Sequence, residues 1–166
     1  MATLTSILAT NIVSSTRSVI NTNFQNLNAQ TQIIYKSADQ TSASSVLASD
    51  SHLVFPVGVN EVWGLEKVFL LYNAAAAPDI KVGWTVPAGT TMAWEVEGNY
   101  GSNVSLASDT ESMNGTGADA QFSLHGTIFV GSVAGNMTLR WAQNVNTASS
   151  IITLKQGSFI IAHKLN

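Results

Sequence analysis

A seven-residue spacing of apolar residues near the start of the chain restricts its fold more than any other sequence feature. The residues seven apart are Val13, Ile20, Leu27 and Ile34, and polar side chains occupy the positions three residues after each of them. A helix with so narrow an apolar stripe cannot bury itself well against a domain, but it can pack against copies of itself. The spacing therefore predicts a coiled coil formed by several chains, with three chains as the favoured number.

The predicted helix covers residues 5–35 and forms a trimerisation stem. Serine, threonine and asparagine dominate this segment, and their side chains compete for the backbone hydrogen bonds of a helix. An isolated helix of this composition is marginal in water, so we expect its formation to be coupled to association. The positions predicted to line the trimer axis are Val13, Thr16, Ile20, Asn23, Leu27, Gln30 and Ile34. The alternative is a single amphipathic helix that lies on its own domain.

The composition supports assembly and excludes several classes of function. Charged residues make up 10% of the 166 residues, whereas about 25% is usual in soluble domains, so we expect subunit contacts to cover part of the surface. The net charge of −3 indicates no basic face for nucleic acid. The chain has no cysteine, which excludes disulfides and thiolate sites. No apolar run approaches the ~18 residues of a membrane span, so no membrane insertion is expected.

A change in composition after the stem predicts two domains. Residues 36–50 are rich in serine, alanine and threonine and are predicted to be a linker. We therefore expect an N-terminal arm and helical stem over residues 1–40 and a β-sandwich head over residues 41–166. The uncharged residues 1–11 are the expected attachment segment.

The head is predicted to be mainly β, because apolar residues alternate with polar ones in eight short segments separated by turns. These segments are residues 52–59, 62–72, 80–86, 91–96, 122–133, 137–141, 151–154 and 158–163. We expect a jelly-roll-like β-sandwich in which the first and last strands lie side by side, and residues 80–96 form a hairpin around the turn at Pro87 and Gly89. An immunoglobulin-like sandwich is the alternative.

Two segments resemble phage proteins. Residues 19–31 (VINTNFQNLNAQT) resemble a short repeat near the start of phage tail- and head-fibre proteins, where pairs such as Ile20/Asn23 and Leu27/Gln30 line a parallel three-stranded coil. Residues 55–90 resemble a group of uncharacterised phage virion proteins that carry an NE-x-W strand, an AAAPDIK-like link and a W-T-x-P-x-G turn, here NEVW, AAAAPDIK and WTVPAG.

These resemblances imply a protein on the surface of the virion. Together with the seven-residue spacing and the short chain, they lead us to expect a homotrimer that is a capsid decoration (cement) protein or a head fibre. The expected partner is the major capsid protein or another virion protein, bound through residues near the N-terminus. The alternative is a carbohydrate- or receptor-binding module of a tail fibre or spike, with a host surface glycan as ligand.

The titratable residues show no catalytic or metal-binding spacing, so we expect a non-enzymatic protein without metal or cofactor. His52, His125 and His163 are far apart and form no HxH or HExxH motif. Glu95 and Glu97 share one face of a predicted strand, as the two carboxylates of a glycosidase could. An exposed strand face explains the pair more simply.

Four tryptophans lie in the predicted strands. They are Trp63, Trp84, Trp94 and Trp141. Their branched apolar neighbours predict packing in the core or between subunits rather than an exposed platform for sugars. The polar, glycine-containing loop at residues 98–119 is the better candidate for an external contact.

Overall fold

The computed structural model describes residues 13–28, 30–97 and 105–166. This part of the chain contains one helix, α1 (Val13–Asn28), and twelve strands. The strands are β1 (Thr31–Tyr35), β2 (Gln40–Ser42), β3 (Ala48–Val57), β4 (Val62–Asn73), β5 (Ile80–Thr85), β6 (Thr91–Val96), β7 (Ser105–Leu106), β8 (Glu111–Met113), β9 (Asp119–Phe129), β10 (Gly135–Gln143), β11 (Ile152–Leu154) and β12 (Phe159–Lys164). No helix among these residues is long and apolar enough to cross a membrane.

The strands form two antiparallel sheets that share one hydrophobic core. The large sheet has the order β1-β12-β4-β9-β6-β7, with β11 paired to both β4 and β2. The small sheet has the order β3-β10-β5-β8. Buried side chains from both sheets form a single cluster, in which the rings of Phe55 and Trp63 make an edge contact at 5.8 Å. The prediction of a mainly β fold is confirmed.

Alternation of apolar residues explains how the strands bury one face. In β5, Ile80, Val82 and Trp84 are all buried, because every second side chain of a strand points to the same side. The pairing of β4 with β9 is interrupted by a register shift between Leu65 and Val68. This shift keeps apolar side chains in the core on both sides of the irregularity.

The helix is shorter than the spacing of apolar residues predicts. It ends at Asn28, so the predicted helix up to residue 35 is wrong. Of the predicted stem positions, Gln30 lies in the turn after the helix and Ile34 lies in β1, where it packs against the core. Residues 31–35 (TQIIY) combine β-branched and aromatic residues with strand periodicity, and their backbone pairs with β12 along the whole of β1.

The predicted boundary at residue 40 is also wrong. Because β1 belongs to the large sheet, the β-domain begins at Thr31. The predicted linker, residues 36–50, contains β2, which pairs with β11, and the start of β3. It also contains a fully buried residue, Lys36.

Two expected strand pairings differ from the structure. The segments predicted as the first and last strands lie in different sheets, and β12 is placed between β1 and β4. The predicted hairpin of β5 and β6 is absent, although the turn is present: the amide of Thr90 donates to the carbonyl of Pro87 at 3.1 Å, and Gly89 has a φ of 76°. This turn carries the chain from the small sheet to the large one.

Candidate interaction surface

Helix α1 presents apolar side chains that its own domain does not cover. Among the described residues, α1 shares no extensive contact with any strand. Ile20 is 37% exposed and Phe24 is 62% exposed, and residues four apart lie on the same face of a helix. The predicted stem positions inside the helix are Val13, Thr16, Ile20, Asn23 and Leu27. Five of the seven predicted stem positions thus lie in the helix, and Ile20 is the one among them with an exposed large apolar side chain in the part of the chain whose side chains are described.

A second apolar surface lies on the outer face of the large sheet, beside its β1 edge. We call it the edge patch, and it consists of Ile33, Tyr35, Phe69, Phe159 and Ile161. Ile33 lies opposite Ile161, while Tyr35 lies opposite Phe159, which in turn lies opposite Phe69. The rings of Phe69 and Phe159 stack at 5.3 Å. Ile33 and Tyr35 remain 72% and 54% exposed, so the patch is open on the β1 side.

Charged side chains occupy the same face of the sheet further from β1. Lys67 Nζ lies 2.7 Å from a carboxylate oxygen of Glu97, and His125 Nε2 lies 2.7 Å from Glu95 Oε1. The hydrogen bond and charge of Lys67 hold the pKa of Glu97 below its usual value. The outer face thus changes from apolar at β1 to paired charges at β6 and β9.

The two carboxylates considered for hydrolysis are each bound to a different basic side chain. Glu95 contacts His125, and Glu97 contacts Lys67. A glycosidase needs one carboxylic acid whose pKa is raised, so that it is protonated near neutral pH. The lowered pKa of Glu97 is a shift in the opposite direction.

A buried ion pair fixes the chain where β1 ends. Lys36 Nζ lies 2.6 Å from Asp50 Oδ2, and both side chains are completely inaccessible to solvent. Trp141 Nε1 donates to the same oxygen at 3.1 Å, and the backbone amides of residues 52 and 53 donate to Asp50 Oδ1 at 2.8 and 2.9 Å. Burial alone would raise the pKa of Asp50, but the hydrogen bonds from Lys36 and the two amides outweigh it and hold that pKa below its usual value.

This buried pair connects the edge of the large sheet to the small sheet. Lys36 follows β1 directly, and its amide donates to the carbonyl of Ser158 at 2.8 Å, next to β12. Its side chain reaches Asp50 in β3 of the small sheet. The position of β1, and with it the edge patch, is therefore set by bonds to both sheets. The sequence does not reveal this role, because Lys36 stands in a stretch that is otherwise typical of a linker.

The tryptophans lie in the core, as predicted. The exposed fraction of each side chain is 4% or less, which leaves none of them available as a platform for sugars. The indole of Trp94 donates to the carbonyl of Leu106 at 2.8 Å and so connects β6 to β7.

The three histidines bind separate neighbours on the protein surface. His52 contacts Ser51, His125 contacts Glu95, and His163 contacts Glu66 and Thr31, so no two of these histidines share a partner through these contacts. Across residues 13–28, 30–97 and 105–166, no three histidine or acidic side chains come together in a way that could hold a metal ion.

Two segments predicted to contact partners lie wholly or partly outside the described residues. The expected attachment segment, residues 1–11, is outside them, as are residues 98–104 of the predicted loop. The rest of that loop contains β7 and β8.

The chain has only weak structural similarity to a phage protein of known structure. No family model matches the chain, and no curated protein matches it. Among solved structures, the chain is similar to the tripod (BppUct-A-L) from the baseplate of bacteriophage Tuc2009, with 13% sequence identity and a TM-score of 0.36. The alignment covers 95% of this chain and 100% of that chain. Similarity at this level defines neither the fold nor the function of this chain.

Proposed function

We propose that this chain is a non-enzymatic structural protein of a phage particle. It forms a homotrimer through its N-terminal helix and lies on the virion surface, as a capsid decoration protein or a short head fibre. The segment before the helix attaches it to the major capsid protein or to another virion protein.

The observation that carries the proposal is the uncovered apolar surface of α1. The described part of the helix has 16 residues, only slightly more than the ~12–15 residues below which even alanine-rich helices are marginal in water. Its polar composition lowers its stability further. Packing of three copies would bury Ile20 of each chain on a common axis and supply the missing stabilisation. The resemblance of residues 19–31 to fibre repeats supports the same arrangement and a place on a phage particle.

We also propose that the β-domain is a jelly roll. Strands β1-β12-β4-β9 and β3-β10-β5-β8 form two four-stranded sets, and the chain passes from one set to the other at every step except β5 to β8. Such repeated crossing is the pattern of two nested Greek keys. The hairpin of β6 and β7 is then an insertion that extends the large sheet beside β9.

The state of the surface carboxylates supports a structural function. The hydrogen bond and charge of Lys67 lower the pKa of Glu97 and so favour its ionised form. Glu95 is bound to His125. The lowered pKa of Glu97 does not suit a proton donor for glycoside hydrolysis.

The trimer is tested by measuring the mass of the full chain in solution by light scattering. We expect three times the 17.5 kDa of one chain. Ile20→Asp would place a charge on the predicted axis without a partner and should give single chains. Ser18→Asp adds the same charge at an exposed helix position away from the seam and should keep the trimer. A full-length chain with the mass of one copy at micromolar concentration would contradict the proposal.

The place on the particle requires a separate experiment. Antibody fragments against the β-domain, imaged on intact virions, should label the capsid surface. Labelling confined to the tail would contradict the capsid assignment and leave the trimer standing.

A further inference from the structure

We propose that the edge patch is covered by the β-domain of a neighbouring copy of this chain, so that the heads contact one another beside the stem. The inference rests on the proposed trimer and adds to it a second contact, formed by the β-domains rather than the helices. The partner is therefore a second copy, and the contact begins at Ile33 and Tyr35.

The chemistry of the patch suits a protein contact. Its members are branched and aromatic side chains, and aromatic residues contribute strongly to the centres of interfaces. Ile33 is 72% exposed although Ile161, its partner on the next strand, is partly covered. Contiguous exposed apolar surface of this kind on a folded domain indicates an interaction site.

The short connection between helix and sheet selects a second copy as the occupant. Helix α1 ends at Asn28 and β1 begins at Thr31, so these two residues are at most ~11 Å apart along an extended chain. Helices that pack side by side have axes about 8–10 Å apart. Three packed helices therefore bring three β1 strands close together, and each strand carries the open side of its edge patch.

The surroundings of the patch allow this approach. Within the described chain, β1 is the terminal strand of its sheet and has no strand on its outer side. Two titratable side chains beside the patch are paired: Lys67, which lies opposite Ile161, is bound to Glu97, and His163, two residues after Ile161, is bound to Glu66. A neighbouring copy would thus meet an apolar centre with a polar rim, as in other protein interfaces.

Cysteine cross-linking tests the inference, because the chain has no cysteine of its own. Single variants Ile20→Cys, Ile33→Cys and Val46→Cys would be treated with a short bis-maleimide at low protein concentration. Val46 lies between β2 and β3 and is 74% exposed, nearly the same as Ile33 at 72%, so it measures cross-linking by chance collision. We expect efficient cross-links between copies at Ile20 and Ile33, and none above background at Val46.

The result at Ile20 separates this inference from the proposed trimer. Cross-linking at Ile20 without cross-linking at Ile33 would support the stem and overturn the contact between heads. Cross-linking at Ile33 alone would support the head contact and contradict the stem. Cross-linking at background level at both Ile20 and Ile33 would overturn both the stem and the contact between heads.

A charge in the patch provides a second measurement. Ile33→Asp should raise the concentration at which the trimer dissociates by about tenfold or more, since interface anchors commonly contribute at least that much. Val46→Asp is the matched control and should leave dissociation unchanged. Because the Ile33 side chain is mostly exposed in one copy, the variant should keep its fold, as checked by circular dichroism. Equal dissociation of the two variants would overturn the inference.

Discussion

Removal of either partner of the buried Lys36–Asp50 pair should destabilise the β-domain strongly and unequally. Lys36→Met removes the ammonium and leaves the Asp50 carboxylate with three N–H donors, from Trp141 and two backbone amides. Asp50→Asn removes the negative charge beside the Lys36 ammonium. Apart from residue 50, the ammonium then has one hydrogen-bond acceptor, the side-chain oxygen of Gln40 at 3.2 Å. Without its partner, the lysine therefore keeps fewer hydrogen bonds than the aspartate does. Asp50→Asn should reduce the free energy of unfolding more than Lys36→Met.

The magnitude follows from the complete burial of both side chains. Breaking a buried ion pair by removing one partner costs about 3–5 kcal/mol. We place Lys36→Met near 3 kcal/mol, because three hydrogen bonds to the carboxylate remain, and Asp50→Asn nearer 5 kcal/mol. For a chain of this length, about 3 kcal/mol corresponds to a fall in Tm of roughly 6–12 °C. The double variant should be destabilised by less than the sum of the single variants, since it leaves no unpaired charge.

Urea unfolding at one fixed protein concentration, followed by tryptophan fluorescence, would measure these differences. The four tryptophans are buried, so their emission reports on the loss of the core. Lys67→Met is the control, because it breaks a pair of comparable length whose side chains are 37% and 54% exposed, and it should shift the midpoint little. A Lys36→Met protein as stable as Lys67→Met would refute the assignment of Lys36 as a buried structural charge.

Two further predictions concern backbone packing and acid stability. Gly126→Ala would place a methyl group against the backbone carbonyl oxygen of Ala93 and 2.8 Å from the Cβ of Trp94, which should cost about 1–3 kcal/mol. Gly64→Ala meets its nearest atom, on Leu165, at 3.7 Å and should be nearly neutral in the same urea assay. The pKa of Asp50 is lower in the folded protein than in the unfolded chain, so the ionised carboxylate stabilises the fold. This stabilisation is complete at pH values above the pKa of Asp50 in the unfolded chain, and it is lost as the pH falls through the pKa of Asp50 in the folded protein. The stability difference between the natural chain and Asp50→Asn should therefore narrow below about pH 4, and a gap that widens in acid would contradict this.

The strands of the β-domain were largely predictable from sequence because burial follows period-two alternation. Ile80, Val82 and Trp84 illustrate this in β5, and all three are buried. Which strands pair was not predictable in the same way. The turn at Pro87 and Gly89 has the chemistry of a hairpin, yet it connects two sheets. Local sequence specifies the turn, whereas the partner of each strand depends on the packing of the whole domain.

The apolar surfaces were predicted only in part. Ile34 continues the seven-residue spacing and also fits the alternation of β1, so sequence alone did not decide between helix and strand. Because Ile34 was predicted to lie in the helix, the sequence did not predict that Ile33 and Tyr35 face outward from a strand. Lys36 and Asp50 gave no sequence signal, because their pairing depends on two sheets that meet in space.

The inclusion of β1 in the large sheet determines where this protein can be divided for engineering. A chimera that replaces helix α1 with an oligomerising helix from a different protein should be joined between Asn28 and Thr31. A junction placed at residue 40 would delete the strand that pairs with β12 and the cation that neutralises Asp50. Such a fusion would be expected to aggregate through the bared sheet edge rather than display a folded head.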